Sequence, residues 1–183
     1  STPTQAGYYK LALAIMNVLV MPVDPLIRTT YSEVSREIGA RRWDNVRYLL
    51  RSGSLLSAIW TVPASIGLVL FGPWLIRAFW GLDFVPAYQS ILILLVGVAT
   101  VNIFYWNRNV LLPLGKPGYV TWVYLVAAVL RIGGMLLLVP GYGASGMALM
   151  LSLFHLGTAA VLVSKTICEI SSAARKPQPV AQT

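Results

Sequence analysis

Five stretches of this chain, each about 20 residues long and mostly apolar, limit its fold more than any other feature; they cover approximately residues 7–27, 52–71, 87–110, 118–139 and 146–167. A helix rises about 1.5 Å per residue and the hydrocarbon of a bilayer is about 30 Å thick, so roughly 20 apolar residues cross it. Hydrocarbon offers backbone amides no water, which makes a helix the element for such stretches. The expected fold is therefore an all-α polytopic membrane bundle of five transmembrane helices. Composition agrees: 57% of residues are hydrophobic and 11% charged, against roughly 25% charged in average soluble chains, and mean hydropathy is +0.70. A formal charge of +8 would suit nucleic acid if the basic residues shared a solvated face. Here they punctuate apolar runs, and no nucleic-acid partner is expected. The single cysteine, Cys168, forms no internal disulfide and belongs to no cluster of metal ligands. No cofactor is expected. The opening STPTQ has neither a secretory signal nor an initiator methionine, and the chain is expected to begin within a longer protein.

Proline and glycine mark the expected breaks: FGP (71–73), GLDFVP (81–86), LPLGKPG (112–118) and PGYGASG (140–146). Short loops carrying lysine and arginine stay in the cytoplasm. The linker 28–51 carries Arg28, Arg36, Arg41, Arg42, Arg47 and Arg51 and is assigned there. Arg108, Lys116, Arg175 and Lys176 fall on the same side, and only Arg77 is an exception. The chain thus starts outside and ends in the cytoplasm, with 171–183 expected to be a disordered tail. Within the linker, Trp43, Val46 and Leu50 lie at helical spacing opposite Arg47 and Arg51. This pattern fits an amphipathic helix on an anionic leaflet, or an ordinary charged connector. WLIRAFWG (74–81) reads as an interfacial aromatic belt.

Polar residues inside the spans are the candidate functional groups. Lys10, Asn17, Asp24 and Arg28 are spaced by seven, seven and four residues, so they form one stripe along the first helix. Facing lipid would be costly, so the stripe lines a hydrated cavity; alternatively, Lys10 and Arg28 snorkel from the helix ends. Arg131 lies roughly 4 Å from the middle of the fourth span, too deep for easy snorkelling. It either pairs with Asp24, the only intramembrane acid, or contacts an anion in a cavity. Asn102 shares a face with Tyr105 and Asn109 and joins the cavity candidates, while Arg108 is near enough to the cytoplasm to be a topology determinant. His155 makes an interhelical hydrogen bond or serves in a proton relay. No phosphate loop, metal-ligand spacing, nucleophile elbow or carboxylate pair occurs, so the chain is not expected to be an enzyme.

AGYYKLALAIMNVLVMPVDPL followed by YSEVSRE resembles the eighth span and cytoplasmic exit of polysaccharide flippases in the multidrug/oligosaccharidyl-lipid/polysaccharide exporter superfamily. GLDFVPAYQSILILL, LLPLGKPGYV and LLLVPGYGASGMALM resemble its later spans. The resemblance covers nearly the whole chain apart from the tail and implies part of the C-terminal lobe of a two-lobed exporter in the bacterial inner membrane, the N-terminal lobe being absent from this chain. It further implies translocation of a polyprenyl-diphosphate-linked oligosaccharide between leaflets. On that reading Lys10, Arg28 and Arg131 attract the diphosphate, and Asn17 and Asn102 contact sugar hydroxyls. A drug or cation antiporter of the same superfamily is the nearest alternative, although basic groups here outnumber the single intramembrane acid. A polysaccharide polymerase or ligase is another, although the external loops are short. A non-transporting membrane scaffold is the third.

Overall fold

The computed structural model describes residues 3–107 and 109–175, and every regular element among them is helical. Arg108 and residues 176–183, including Lys176 and most of the expected tail, lie outside the described residues. Three helices are long and apolar enough to cross a membrane, within Pro3–Gly39, Trp43–Trp80 and Pro117–Ala174; Ala87–Ile103 is apolar but shorter.

The first long helix is two elements, α1 (Pro3–Val20) and α2 (Asp24–Gly39), joined by a 3-10 turn at Met21–Val23. Pro22 and Pro25 lack amide donors, and their rings crowd the carbonyls one turn back, so the ladder tightens there. α2 ends in a Schellman turn: Arg41 N–H donates to the Ile38 carbonyl and Arg42 N–H to the Glu37 carbonyl. Arg41 has φ +55°, a left-handed conformation that glycine usually occupies. The chain reverses here into α3 (Trp43–Trp80).

α3 has 38 residues and is about 57 Å long at 1.5 Å per residue. It corrects two sequence expectations. FGP does not end the second span: Pro73 sits inside α3, which runs on to Trp80. Proline at 73 deprives the Val69 carbonyl of its helical donor, and the Tyr88 hydroxyl donates to that carbonyl at 2.6 Å. Nor does the stretch after Trp43 form a helix of its own: it is the first part of α3. Val46 and Leu50 are buried in a cluster with Val23, Val34, Tyr105, Trp106, Val110 and Ile170, while Arg47 and Arg51 face outward.

α4 (Ala87–Ile103) is the centre of the bundle, with Ala87, Ser90, Ile91, Leu94, Leu95, Gly97, Val98 and Asn102 buried. The expected third span to Val110 stops early: Phe104 leaves helical geometry at φ −99°, ψ 42°, and turns follow. The Ser57 hydroxyl donates to the Asn102 carbonyl at 2.6 Å, satisfying one of the carbonyls that the helix end leaves without an intrahelical donor.

α5 (Pro117–Ala174) is broken at Gly143, where φ is 53° and ψ −126°. A helix continuing straight would keep residues on opposite sides of this point far apart. Instead Lys116 meets Glu169, Tyr119 meets Lys165, Arg131 meets Phe154, and Gly134 lies against Met150. Every one of these pairs straddles the same point, so the arms 117–142 and 144–174 are antiparallel. Each alone exceeds the roughly 20 residues of a span. The second arm packs against α4: a Cβ on Gly97 would lie 2.6 Å from Ser152 Cα, a close approach that small residues allow. Its helix runs through Ala174, into the stretch expected to be disordered. The loops gather at two ends. Gln5 bonds the Ala144 amide and Tyr8 packs on Phe84 at one end, while α2, the start of α3, the turns after Ile103 and the end of α5 share the other.

Candidate functional site

The polar stripe lies on the outside of the described fold. Lys10, Asn17, Asp24 and Arg28 are all exposed, whereas Leu11, Ala12, Met16, Leu19 and Val23 bury the opposite face. Its register thus survives the proline turn, and the helix presents a charged and amide face away from its own bundle. None of the ion pairs among the described residues involves Asp24 or Arg131, so the expected alternative of a dry Asp24–Arg131 pair is not what the fold contains.

Arg131 sits where three segments meet. Its guanidinium carbon lies 5.6 Å from the centroid of the Phe154 ring on the second arm. The Tyr9 side chain of α1 comes near the guanidinium, and Nε is buried without a partner among the described residues. Cation–π contact contributes about 0.5–2 kcal/mol, more as water is excluded. That offsets only part of the cost of holding a guanidinium in an apolar setting. Beside it runs a groove of about 680 Å³ between the two arms, lined by Ala127, Leu130, Arg131, Gly134, Met150 and Phe154 among others. The His155 ring lies 5.7 Å from Phe154, tilted at 58°, and its Nδ1 is buried without a partner among the described residues, so the expected interhelical bond is not made through that atom.

Asn102 has a different setting from the one expected. It is 3% exposed; its amide nitrogen donates to Thr61 Oγ1 at 2.9 Å and to the Leu19 carbonyl at 3.4 Å. Trp60 Nε1 donates to the same carbonyl at 3.0 Å, which the 3-10 turn leaves without its α-helical donor. Asn102 thus ties α1, α3 and α4 together and has no face toward a cavity. Tyr105 and Asn109 no longer share a helix face with it, because α4 ends at Ile103; the Tyr105 hydroxyl bonds Thr30 Oγ1 at 2.7 Å.

Neither Tyr9 nor Phe154 stands out in the sequence, since aromatic residues are common in apolar helices and only the tertiary fold brings both to Arg131. The same holds for Glu37, which is 5% exposed in the last turn of α2. Asn45 Nδ2 donates to its carboxylate at 2.9 Å, and Arg36 and Arg42 lie at 3.4 and 3.9 Å. The Asn45 bond foremost, and then the two arginines, hold this carboxyl below the ordinary glutamate value.

The chain matches no protein-family model, no curated protein and no solved structure.

Proposed function

We propose that this chain is part of a transporter that moves a polyprenyl-diphosphate-linked oligosaccharide from the cytoplasmic to the outer leaflet of the bacterial inner membrane. In this reading it crosses five times, through α1, the apolar part of α3, α4 and the two arms of α5. The basic α2–α3 turn lies in the cytoplasm and the N-terminus outside. The observation that carries the proposal is the outward stripe of Lys10, Asn17, Asp24 and Arg28 on a helix whose other face is buried. Charged and amide groups at such depths face water or protein, and nothing within the described fold covers them. A second lobe, expected from the family resemblance, would enclose the stripe in a water-filled path.

A sugar diphosphate cannot shed its hydration to enter hydrocarbon, whereas its polyprenyl tail stays there without cost. A path lined by cations offsets the head's negative charge without a covalent step. Lys10 and Arg28 stand near opposite ends of that path. Arg131, against the Phe154 ring beside the groove between the arms, adds a third cation. Asn17 supplies hydrogen bonds suited to sugar hydroxyls.

The test is made in the producing cell, on the complete protein. Lys10→Ala combined with Arg28→Ala is expected to lower surface polysaccharide at least about tenfold, as the loss of about 1.4 kcal/mol would, and to leave protein abundance unchanged. Lipid-linked oligosaccharide then accumulates on the cytoplasmic side. Wild-type surface polysaccharide in the double variant contradicts the reading; a gain in sensitivity to cationic drugs instead would move the assignment to an antiporter.

A further inference from the structure

A second groove, of about 470 Å³, lies between α3 and the end of the second arm, away from Arg131 and from the stripe. Its two ends differ in chemistry. At one end are Arg47 and Arg51, one helical turn apart on α3, with Ser54 and, across the groove, Ser171. From there the walls become apolar on both sides, through Leu55 and Ala58 on α3 and Ile167 and Val163 on the arm, with Phe104 and Trp106 between them. Trp106 Nε1 donates to Ser54 Oγ at 2.8 Å, which fixes the indole and leaves no free donor on it.

The polarity runs in the direction of a bilayer leaflet. No residue from Ser52 to Ile76 is charged, so Arg47 and Arg51 are the last cations before the apolar part of α3. They stand where lipid phosphates stand when that part is in hydrocarbon, and the apolar walls then lie alongside acyl chains. Both arginines are exposed. Asp44, 97% exposed, approaches Arg47 at 3.3 Å; such a solvated pair is weak. Arg51 takes part in none of the ion pairs among the described residues. Two guanidiniums one turn apart present planar forks that match phosphate oxygens.

We infer that this groove is a binding site for one anionic phospholipid of the surrounding leaflet, its phosphate on Arg47 and Arg51 and one acyl chain between α3 and the second arm. A zwitterionic lipid offers the same chain but compensates its own phosphate. Basic pockets between membrane helices at the interface favour anionic headgroups for this reason. The inference requires α3 to cross a membrane and is independent of what, if anything, is transported.

The experiment uses the purified full chain in detergent, with equimolar palmitoyl-oleoyl phosphatidylglycerol and phosphatidylcholine added, and reads lipid adducts by native mass spectrometry. One phosphatidylglycerol is expected to be retained in preference to phosphatidylcholine. Arg47→Gln with Arg51→Gln should weaken retention by about fivefold for each arginine lost. Ala58→Phe, which keeps both charges and fills the apolar end, should weaken it as well, while Arg77→Gln at the other end of α3 should leave it unchanged. Equal retention of the two lipids would overturn the site. So would an unaltered double variant, an equal loss in Arg77→Gln, or displacement of the lipid by millimolar inorganic phosphate, which would mark a site for a free anion.

Discussion

Single side chains in this fold do one of two jobs, and burial separates them. Asn102 is a fastener: removing its amide strips Thr61 and the Leu19 carbonyl of a donor where no water substitutes. Asn102→Ala is expected to cost about 1–2 kcal/mol, the range for interhelical hydrogen bonds and buried unpaired groups, read as a lower unfolding midpoint in detergent. Glu37 fastens the α2–α3 turn, and its lowered pKa fixes the sign of a pH effect. The folded form holds the proton less readily than the unfolded one, so its contribution is complete above the ordinary value of 4.5 and fades as pH falls through the lowered folded value. Protection factors of the amides of residues 40–42, exchange rates taken relative to the intrinsic rate at each pH, should fall on acidification below that ordinary value in the wild-type chain. In Glu37→Gln they should already be lower at neutral pH and lose most of this pH dependence. By contrast the four stripe residues are exposed and fasten nothing within the chain.

Within the elements, proline has effects that its neighbours decide. At Pro22 and Pro25 the ladder breaks into a 3-10 turn, and side chains from α3 and α4 take the freed Leu19 carbonyl. At Pro73 the helix continues, as it does at Pro63, and there Tyr88 supplies the missing donor to Val69. Tyr88→Phe should therefore cost about 1 kcal/mol in the wild-type chain. In a Pro73→Ala background the cost should be close to zero, since the amide of residue 73 then bonds Val69 itself. A double-mutant cycle of unfolding free energies measures the difference; equal costs in both backgrounds would mean that the hydroxyl does not complete the ladder. These cases also show what the sequence could and could not disclose. The apolar stretches, the hairpin at PGYGASG and the polar face of α1 depend on neighbours three to seven residues away, and each is visible as spacing. At the end of α4 the Asn102 carbonyl is bonded by Ser57, and at Pro73 the Val69 carbonyl by Tyr88; both are partners from another helix that no local pattern announces. Asn102 was legible as polar within an apolar run, but whether it faced a cavity or a neighbouring helix was decided by Thr61 and Leu19.

At the scale of the molecule, the described residues form a bundle centred on α4 with α1, α3 and the second arm of α5 around it. The first arm is largely exposed and apolar, with Leu136 and Leu137 at 74% and 82% exposure, as a lipid-facing helix should be. α1 differs: one face is packed, and the other carries Lys10, Asn17, Asp24 and Arg28 into a surrounding that is neither the bundle nor comfortable in lipid. The transport reading stands on this asymmetry between two outward helix faces. Replacing Cys168 with Ser and placing a single cysteine at Asn17 or at Leu137 in the complete protein allows both faces to be probed in native membranes with a membrane-impermeant maleimide. Asn17→Cys is expected to label at a rate approaching that of a cysteine at the exposed Tyr142 in the PGYGASG hairpin, and Leu137→Cys to remain unlabelled. An Asn17→Cys as unreactive as Leu137→Cys would place the stripe in dry packing and remove the water-filled path on which the account depends.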